Sequence, residues 1–425
     1  MTVDIGRSWA AAAPVHVLRS DCRGCGGTAL SRILALGETA LANAFLGSDS
    51  EFATEKRFAL DVYLCETCGL VQLLDVIDPE TLFRNYVYVT GTSTTMATHN
   101  KAYAATVTER LGLRPDDLVV EVASNDGSLL RYFDSYGVRT LGVEPARNIA
   151  RIAREAGIAT VEEFFTSELA HELRDKYGSA RAVIANNVLA HVDNTRDFLS
   201  GARTLLAPDG LLVVEVPWLG KLVANLEYDT VYHEHLCYFS LTALSQIYSA
   251  AGLYVVDVEH VPVHGGSLRV YASPVPREAG PAASVTNLLA EEAAAGLRDP
   301  LRLERFAHDV SRQRSELRAL LESLQSDGKT IAGYGAPAKG NTLLQYCNIT
   351  STMLPYTVDR NSLKVGCFTP GTHIPVLPVD TLAVRRPDYL LILAWNFADE
   401  IMGQQAEYRA QGGRFIVPLP VPRII

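Results

Sequence analysis

Alternating strand and helix patterns over most of the chain, preceded by four paired cysteines, predict an α/β protein of three parts. We place a small metal-binding domain at residues 1–78, a larger α/β domain at 79–280 and a second α/β domain at 281–425. A chain of 425 residues is too long for one ordinary hydrophobic core, which agrees with this division.

The cysteines that define the first part have the spacing of metal ligands, Cys22-x-x-Cys25 and Cys65-x-x-Cys68. Each pair can form a tight knuckle that directs two thiolates at one ion, and two knuckles make a closed tetrahedral site that suits zinc. Four thiolates leave no open position, so we expect a structural metal. Iron can take the same four ligands. If no metal is bound, the cysteines could instead be two unrelated thiol pairs or a redox motif.

Strands and helices alternate in the second part, which predicts a parallel, doubly wound sheet of the Rossmann-like type. After a helix at 96–111, the predicted strands are 118–123, 140–144, 182–187 and 211–216, with helices at 128–135, 147–156 and 195–206 and a β-rich segment at 254–273.

The third part repeats this alternation and predicts a second Rossmann-like unit. Residues 278–298 form a loop and a helix between the two units, and 302–325 continue as helix. The predicted strands are 330–333, 355–359, 389–394 and 414–417, with a glycine-rich turn at 335–340 and helices at 342–346 and 398–411.

A turn of small residues after the first strand of the second part predicts a site for an adenosine cofactor. The backbone of such a turn can approach a ligand closely, and Glu144 at the end of the next strand can accept hydrogen bonds from ribose hydroxyls. The cofactor-binding candidates are Glu121, Ala123, Ser124, Asp126, Gly127 and Glu144. Methyltransferases and NAD enzymes share this device. Two structural interpretations are the alternatives to cofactor binding. Glu144 could be an acid at a helix N-terminus, and Glu121 could be a charge at the end of a strand.

Two histidines, three tyrosines and three carboxylates crowd into the segment EYDTVYHEHLCYFS at 227–240. This segment follows a strand end, where open α/β sheets bind their ligands. Histidine can remove a proton near neutral pH, and tyrosine hydroxyls can donate to a developing oxyanion. The cluster therefore predicts proton abstraction next to a carbonyl group. A catalytic metal on His233, Glu234 and His235 and a structural polar turn are the alternatives.

The composition argues against several classes of partner. The formal net charge is −10, with 48% hydrophobic and 20% charged residues, which argues against general nucleic-acid binding. The first residues lack the features of a secretion signal, and apolar runs such as 211–216 are strand-sized. We predict a cytoplasmic protein with neither nucleic acid nor a membrane as partner, although a small nucleotide ligand is compatible with the charge.

The segment at 227–240 closely resembles the central motif of the S-adenosylmethionine-dependent deoxysugar C-methyltransferases of antibiotic pathways, such as the dTDP-sugar 3-C-methyltransferases that make tetronitrose and mycarose. The resemblance extends over nearly the whole chain. It includes both cysteine pairs, the run YVYVTGTS at 86–93, EVASNDG at 121–127 and GYGAPAKGNT at 333–342.

The resemblance implies a zinc-binding domain, a methyltransferase domain and a C-terminal domain that helps to enclose a nucleotide sugar. It implies that His235 is the catalytic base, with Glu234, Tyr232 and Tyr86 in the same pocket. Further cofactor contacts are implied at Asn186, Thr90 and Ser93, and sugar contacts at Asn187 and His191. In the glycine-rich turn, Lys339 and Asn341 suit the diphosphate, because backbone N–H groups and a lysine attract phosphate.

The implied reaction is methylation at C3 of a dTDP-linked 4-keto-deoxysugar, with or without a 3-amino group, by a monomeric enzyme that uses S-adenosylmethionine. A 4-keto group acidifies both neighbouring carbons, so methylation at C5 is an open alternative. An NAD-dependent sugar-nucleotide oxidoreductase and a non-catalytic zinc-bearing adaptor are alternatives of other classes.

Overall fold

A computed structural model describes residues 16–84, 94–263 and 265–425 of the chain. Two small antiparallel sheets occupy the first segment, where β1 pairs with β5, and β2, β3 and β4 are neighbours. Their elements are β1 (His16–Leu18), β2 (Leu30–Ala40), β3 (Arg57–Cys65), β4 (Val71–Leu73), β5 (Asp75–Ile77) and helix α1 (Pro79–Phe83), with a 3-10 turn at Asp49–Thr54. Alternate apolar residues of β3, namely Leu60, Val62 and Leu64, are buried, as a strand with one face on a core requires.

A seven-stranded sheet forms the centre of the molecule, in the order β12-β13-β10-β9-β6-β7-β8. Its elements begin with α2 (Thr94–Leu111), β6 (Leu118–Val122), α3 (Leu130–Asp134), β7 (Arg139–Val143), α4 (Arg147–Glu155), β8 (Thr160–Val161), α5 (Ser167–Tyr177), β9 (Ala180–Asn186), α6 (Thr195–Leu205) and β10 (Leu206–Pro217). They continue with α7 (Leu219–Ala224), β11 (Cys237–Tyr238), α8 (Leu241–Ala250), β12 (Tyr254–Val261) and β13 (Ser267–Ser273).

The strand order of this sheet reverses beside β6, because the chain first adds β7 and β8 on one side and then β9 and β10 on the other. The five strands from β10 to β8 are parallel, and β13 and β12 extend the sheet antiparallel. Ligands of doubly wound sheets bind at the carboxyl ends of the strands where the order reverses. The ends of β6, β7 and β9 therefore mark the place for a ligand.

The short strand β11 leaves this central unit and joins the N-terminal sheet. It pairs antiparallel with β4, with Cys237 opposite Gln72 and Tyr238 opposite Val71. The sheet order becomes β11-β4-β3-β2. The segment that carries the histidine and tyrosine cluster is thus fixed at its end by the cysteine-bearing domain.

The C-terminal part contains a six-stranded sheet in the order β16-β15-β14-β17-β18-β19, parallel except for β19. Its elements are α9 (Ala283–Ala295), α10 (Pro300–Ser326), β14 (Ile331–Tyr334), α11 (Ala338–Tyr346), β15 (Thr357–Asp359), β16 (Val376–Pro378), α12 (Thr381–Arg385), β17 (Tyr389–Ile392), α13 (Ala398–Gln404), α14 (Ala406–Ala410), β18 (Arg414–Val417) and β19 (Arg423–Ile424).

Buried apolar side chains connect the three parts. One continuous cluster runs from Leu60 in the N-terminal sheet past Val120 in the central sheet to Leu317 on α10 and Leu391 in the C-terminal sheet. Because successive strand residues point to opposite faces, Val119 belongs instead to a second cluster on the other face of the central sheet. The division of the chain at residues 78 and 280 stays a prediction.

The α/β fold class predicted from the sequence is confirmed, but some elements differ. Helix α11 begins at Ala338 rather than at 342, with Pro337 at its N-cap. Lys339 and Asn341 therefore lie in the first turn of a helix and not in the glycine-rich turn, since Pro337 has the fixed φ that leads into a helix. The helix predicted at 398–411 is divided into α13 and α14 at Gln405, whose φ of −102° and ψ of 30° are not helical. Within the described residues, no helix has the length and apolar character needed to cross a membrane.

Candidate active site

The four paired cysteines converge on one point of the N-terminal domain. The Sγ atoms of Cys22 and Cys68 lie 3.6 Å apart, as do those of Cys25 and Cys65, and the four sulfur atoms all lie within 4.8 Å of one another. Zinc bonds of about 2.3 Å in a tetrahedron hold sulfur atoms roughly 3.8 Å apart. The spacing therefore fits one tetrahedral ion.

The two cysteine knuckles have the same backbone hydrogen bonds. The N–H of Gly26 donates to the carbonyl of Cys22, and the N–H of Gly69 donates to the carbonyl of Cys65, both at 2.8 Å. Both glycines have a positive φ, 77° and 76°, which other residues adopt only with strain. In the described part of the chain the four cysteines are the one group of three or more metal-ligating side chains close enough to share an ion, and His233, Glu234 and His235 are not brought together in such a group.

The predicted cofactor residues meet at the carboxyl ends of β6, β7 and β9. Ala123 and Asn125 have positive φ values of 51° and 50°. Such left-handed residues other than glycine cost energy and cluster at functional sites. Glu121 and Asn186 each have a buried side-chain oxygen, Oε2 and Oδ1, with no partner among the described residues. This edge of the sheet thus has a turn with left-handed backbone and buried oxygen atoms without donors. A polar ligand bound here could supply the missing donors.

Glu144 lies at this edge with both carboxylate oxygens engaged by the backbone. Its Oε2 accepts from the N–H of Asn125 at 2.9 Å, and its Oε1 accepts from the N–H of Ala146 at 2.8 Å. Ala146 is the N-cap of α4, so the alternative interpretation of Glu144 as an acid at a helix start describes part of its role. Each oxygen can accept a second hydrogen bond, which leaves room for a ribose hydroxyl.

Burial raises the pKa of Glu121 well above its usual range, and the negative charges of Asp126 and Glu144 raise it further. Burial also raises the pKa of Glu144, although its two backbone N–H donors oppose that shift. Ser124 and Asp126, in the turn itself, are also buried. The Cβ of an alanine at Gly127, whose φ is 72°, would lie only 2.9 Å from Ile158 Cγ1. The turn therefore requires glycine at this position.

His235 is oriented by two hydrogen bonds. Its Nδ1 lies 2.8 Å from the carbonyl oxygen of Thr230, and its Nε2 lies 2.8 Å from the hydroxyl of Tyr232. A carbonyl oxygen can only accept, so Nδ1 carries the hydrogen of the neutral ring. The lone pair of Nε2 then accepts from the Tyr232 hydroxyl, and Nε2 is the nitrogen that can take up a proton.

His191 lies against His235 and extends the cluster. The ring centroids are 4.8 Å apart in an edge-to-face arrangement. Burial lowers the pKa of His191 to about 4, so the ring is neutral at physiological pH. The neighbouring Asn187 follows β9 with a positive φ of 55°. His191 can therefore act as an uncharged hydrogen-bond donor beside His235.

Glu234 is buried between domains, with 5% of its surface exposed. Its Oε1 accepts from Nδ2 of Asn43 at 2.7 Å, and its Oε2 has no hydrogen-bond partner among the described residues. Together with His191 and His233 it lines a cavity of about 30 Å³, which is large enough for one water molecule. Burial raises the pKa of Glu234 to about 7, against the opposing effects of Asn43 and of the positive charge of Lys364.

The two candidates for diphosphate binding differ in their surroundings. The Lys339 ammonium lies 4.4 Å from the ring centroid of Trp395, and the charges of Asp229 and Glu227 oppose the effect of burial, which lowers the pKa of Lys339 to about 8. Asn341 is fully buried, and its Nδ2 donates to the carbonyl of Ala42 at 2.7 Å. Asn341 thus binds the N-terminal domain, whereas Lys339 carries the charge that a phosphate would need.

Three predicted residues, Tyr86, Thr90 and Ser93, lie outside the described residues. Conversely, sequence reasoning missed Asn43, Lys364 and the zinc-domain residue Arg23. Arg23 looks like an ordinary loop residue in the sequence, yet it is buried and donates to the carbonyl of Leu236 at 2.9 Å. Asn43 and Lys364 belong to no sequence motif, and Arg23 stands at a variable position between Cys22 and Cys25. Each of the three acquires its neighbours only when distant segments pack together.

Three family models match successive parts of the chain. The first, described as “Putative zinc binding domain”, matches residues 22–83, the second, “Methyltransferase domain”, matches 96–258, and the third, “C-methyltransferase C-terminal domain”, matches 262–420. Together with the sulfur geometry, the first match confirms the zinc prediction, and the second confirms S-adenosylmethionine as the cofactor.

One relative is similar along nearly the whole chain. C-methyltransferase NovU from Streptomyces niveus is 40% identical over 405 residues, which are 95% of this chain and 96% of NovU. Among solved structures, the PH0226 protein from Pyrococcus horikoshii is 15% identical over 46% of this chain and 96% of its own, with a TM-score of 0.36. The 1,6-didemethyltoxoflavin-N1-methyltransferase from Burkholderia thailandensis is 23% identical over 42% of this chain and 79% of its own, with a TM-score of 0.33.

Proposed function

The chain belongs to the S-adenosylmethionine-dependent C-methyltransferases, and on that premise we propose that it methylates C3 of a dTDP-linked 4-keto-deoxysugar. The observation that carries this proposal is the orientation of His235, whose Nδ1 is held by a carbonyl so that Nε2 is the basic atom. A base in this state suits the removal of a weakly acidic hydrogen beside a ketone.

When the substrate binds, Nε2 of His235 exchanges its hydrogen bond from Tyr232 for contact with the sugar. In the structure the Tyr232 hydroxyl donates to Nε2 of His235 at 2.8 Å. A C3 hydrogen of the sugar takes this position when the substrate enters. As His235 gains the proton, the carbonyl of Thr230 on Nδ1 stabilises the resulting imidazolium. Tyr232 keeps the ring in place before the substrate arrives.

The enolate that forms needs a hydrogen-bond donor at its oxygen. His191 is the candidate among the described residues, because it touches the ring of His235 and its low pKa keeps it neutral. A neutral donor stabilises the oxyanion without giving up its proton to it. Tyr86 is a second candidate from the sequence, and Glu234 and Asn187 complete the proposed sugar side of the site.

The unpaired buried oxygens of Glu121 and Asn186 and the left-handed turn at Ala123 support the fit of these residues to the cofactor. S-adenosylmethionine supplies the electrophilic methyl group that the enolate carbon accepts. We propose that Glu144 binds the ribose and that Glu121 and Asn186 bind the methionine portion. Thr90 and Ser93 stay predictions for the same cofactor.

The diphosphate of the sugar nucleotide is proposed to contact Lys339. Its ammonium is a positive charge beside the turn that follows β14, and its pKa of about 8 leaves it mostly protonated at neutral pH. A lysine of this kind binds phosphate as a point charge. Asn341 supports this proposal less directly, since its amide already binds Ala42.

Hydrogen exchange at the sugar tests the proposal without requiring methyl transfer. In D2O with S-adenosylhomocysteine, the enzyme should exchange the C3 hydrogen of a dTDP-4-keto-6-deoxysugar, observed by NMR. The His235→Asn variant should lose this exchange and lower kcat roughly 10²- to 10⁴-fold, while its affinity for S-adenosylhomocysteine, measured by calorimetry, stays unchanged. Wild-type turnover by the variant would contradict the assignment of the base.

The same experiment separates the two carbons beside the ketone. Exchange and methylation at C5 would support the alternative, since the 4-keto group acidifies both positions equally well in principle. A panel of dTDP-4-keto sugars with and without a 3-amino group would identify the preferred substrate from the product structure. The oxidoreductase alternative is set aside, because a methyltransferase domain matches residues 96–258.

A further inference from the structure

The side chain of Asn43 brings a hydrogen-bond donor of the N-terminal domain to the candidate catalytic cluster. Its Nδ2 donates to Oε1 of Glu234 at 2.7 Å. Asn43 lies between β2 and the 3-10 turn at Asp49–Thr54, far in sequence from the motif at 227–240. Glu234 is 5% exposed, so the contact is shielded from most of the solvent.

The backbone around Asn43 is fixed independently of Glu234. The carbonyl of Ala42 accepts from Nδ2 of Asn341 at 2.7 Å. On the other side, Leu46 and Phe368 exchange two backbone hydrogen bonds, of 3.1 and 2.8 Å. Asn43 is therefore clamped to the C-terminal domain at both ends of a short segment. The position of the Asn43 amide is therefore set by these backbone contacts and not by Glu234. The Glu234 carboxylate takes the orientation that lets it bind this amide.

Titratable and polar groups from all three domains surround Glu234. Lys364 of the C-terminal domain donates to the carbonyl of Ala336 at 2.9 Å, and its positive charge acts on Glu234. His191 and His233 of the central domain line the same small cavity as Glu234, and burial lowers the pKa of both rings. Asn43 is the neutral donor within hydrogen-bond distance of the Glu234 carboxylate.

We propose that Asn43 is a positioning residue for the methyl-transfer reaction, holding Glu234 so that its second oxygen faces the catalytic side chains. Oε1 of Glu234 accepts the hydrogen bond from Asn43. Oε2 is bound by no described residue, and we assign it to contact with the catalytic side chains or the substrate. This inference rests on the proposed function, because it assigns Glu234 to the reaction. It makes the zinc-binding domain a contributor to the active site in addition to a scaffold.

The test compares Asn43→Ala with a matched control, Gln345→Ala. Gln345 also joins the two domains, since its Oε1 accepts from the N–H of Ala40 at 2.7 Å, but it does not touch Glu234. We expect Asn43→Ala to lower kcat roughly 10- to 100-fold, as for the loss of a hydrogen bond to a charged group. Zinc content and affinity for S-adenosylhomocysteine should stay at the wild-type level in both variants.

The pH profile gives a readout that a purely structural role would not change. The Asn43 amide favours the ionised carboxylate and so lowers the pKa of Glu234, against the effect of burial. Removing the amide should move the acidic limb of kcat/KM to higher pH. Asn43→Asp should move it further, because two carboxyl groups at hydrogen-bond distance cannot both ionise. Gln345→Ala should leave the limb where it is.

A double-mutant cycle with Glu234→Gln separates failure of this inference from failure of the proposed function. We expect Asn43→Ala to have little further effect in the Glu234→Gln background, because the two side chains act together. Wild-type turnover by Glu234→Gln would show that Glu234 has no part in the reaction, and both proposals about it would fail. A strong effect of Glu234→Gln combined with full additivity, or with an unshifted pH limb in Asn43→Ala, would overturn the positioning role alone.

Discussion

Single hydrogen bonds determine which atoms carry hydrogen in the candidate catalytic cluster. The carbonyl of Thr230 fixes which nitrogen of His235 is basic, and no sequence pattern contains that information. Sequence reasoning could choose between His233 and His235 only by resemblance to known enzymes. The structure supplies the physical difference, because Nε2 of His233 lies 3.0 Å from the carbonyl of Ala59 and so faces the N-terminal sheet.

At the same scale, we expect His191 to act as a neutral donor over the whole working pH range. Its pKa of about 4 lies below the ordinary value for histidine, so it becomes charged only in acid. His191→Ala should lower kcat about 10²- to 10³-fold, as for the loss of one oxyanion donor. His191→Asn, which keeps an N–H group, should retain more activity than the alanine variant.

The protonation of His191 can be measured directly from the ring nitrogen shifts in NMR. These shifts should show a neutral ring from pH 6 to pH 9. The unfolded chain binds the proton near pH 6.5 and the folded chain only near pH 4, so this residue lowers the stability of the fold as the pH falls through that window. An imidazolium signal at pH 7, or equal activity of the alanine and asparagine variants, would contradict the neutral-donor role.

At the scale of elements, sequence patterns predicted well what depends on local periodicity. The strand predicted at 118–123 is observed as Leu118–Val122, and the helix predicted at 195–206 as Thr195–Leu205. Both are long enough and regular enough for hydrophobic spacing to define them. The two-residue strand Cys237–Tyr238 could not be found in this way, because it exists only through its pairing with β4.

Helix α8 depends on a carboxylate from another element. Glu292 of α9 accepts from the backbone N–H groups of Leu241 and Thr242, at 2.7 and 2.8 Å, from the Thr242 hydroxyl at 2.6 Å and from Nε1 of Trp218 at 2.8 Å. It lies at the N-terminal end of α8, where a negative charge is favoured by the helix dipole. This cap connects α9, which carries Glu292, to α8 of the central domain.

We therefore expect Glu292→Ala to lower the free energy of unfolding by about 3 kcal/mol or more, because it leaves several buried donors without an acceptor. Ser240→Ala is the matched control at the same helix end. The Ser240 hydroxyl accepts one N–H, that of Ala243, at 3.1 Å, and its loss should cost about 1 kcal/mol. Urea denaturation of both variants measures the difference, and equal costs would show that Glu292 is not the main cap of α8.

At the scale of the whole molecule, hydrogen bonds connect the zinc site to the candidate catalytic cluster. Arg23, between the first two zinc ligands, is buried and donates to the carbonyls of Leu73 and Leu236, at 2.6 and 2.9 Å. Leu236 directly follows His235, and β11 comes next as an edge strand of the N-terminal sheet. A short path of hydrogen bonds and peptide bonds thus joins the cysteine knuckles to His235.

Sequence reasoning could not reach this connection, although it identified both ends. The cysteines and the motif at 227–240 each have a local signature. The contact between Arg23 and Leu236 joins residues that are distant in the chain, and its donor has no feature that distinguishes it from surface arginines. Prediction from the sequence alone therefore gave a structural metal and a catalytic base as separate features.

Because the zinc site contacts the segment that carries His235, we predict that loss of zinc impairs catalysis more than it impairs cofactor binding. Zinc supplies folding free energy on the order of 10 kcal/mol in small domains, so Cys65→Ser or chelation should loosen the N-terminal sheet and with it β11. The cofactor residues lie at the ends of β6, β7 and β9, which belong to a different sheet. We expect kcat to fall in proportion to zinc content, while S-adenosylhomocysteine still binds.

Hydrogen exchange and calorimetry would follow the two effects separately in the full chain. The amides of residues 236–238 should lose protection when zinc is removed and regain it when zinc is added back. Cys367→Ser, a cysteine outside the four-thiolate cluster, should keep zinc, protection and turnover at the wild-type level. A zinc-free protein that retains wild-type kcat would refute the coupling, because the base would then be held without the domain on which β11 depends.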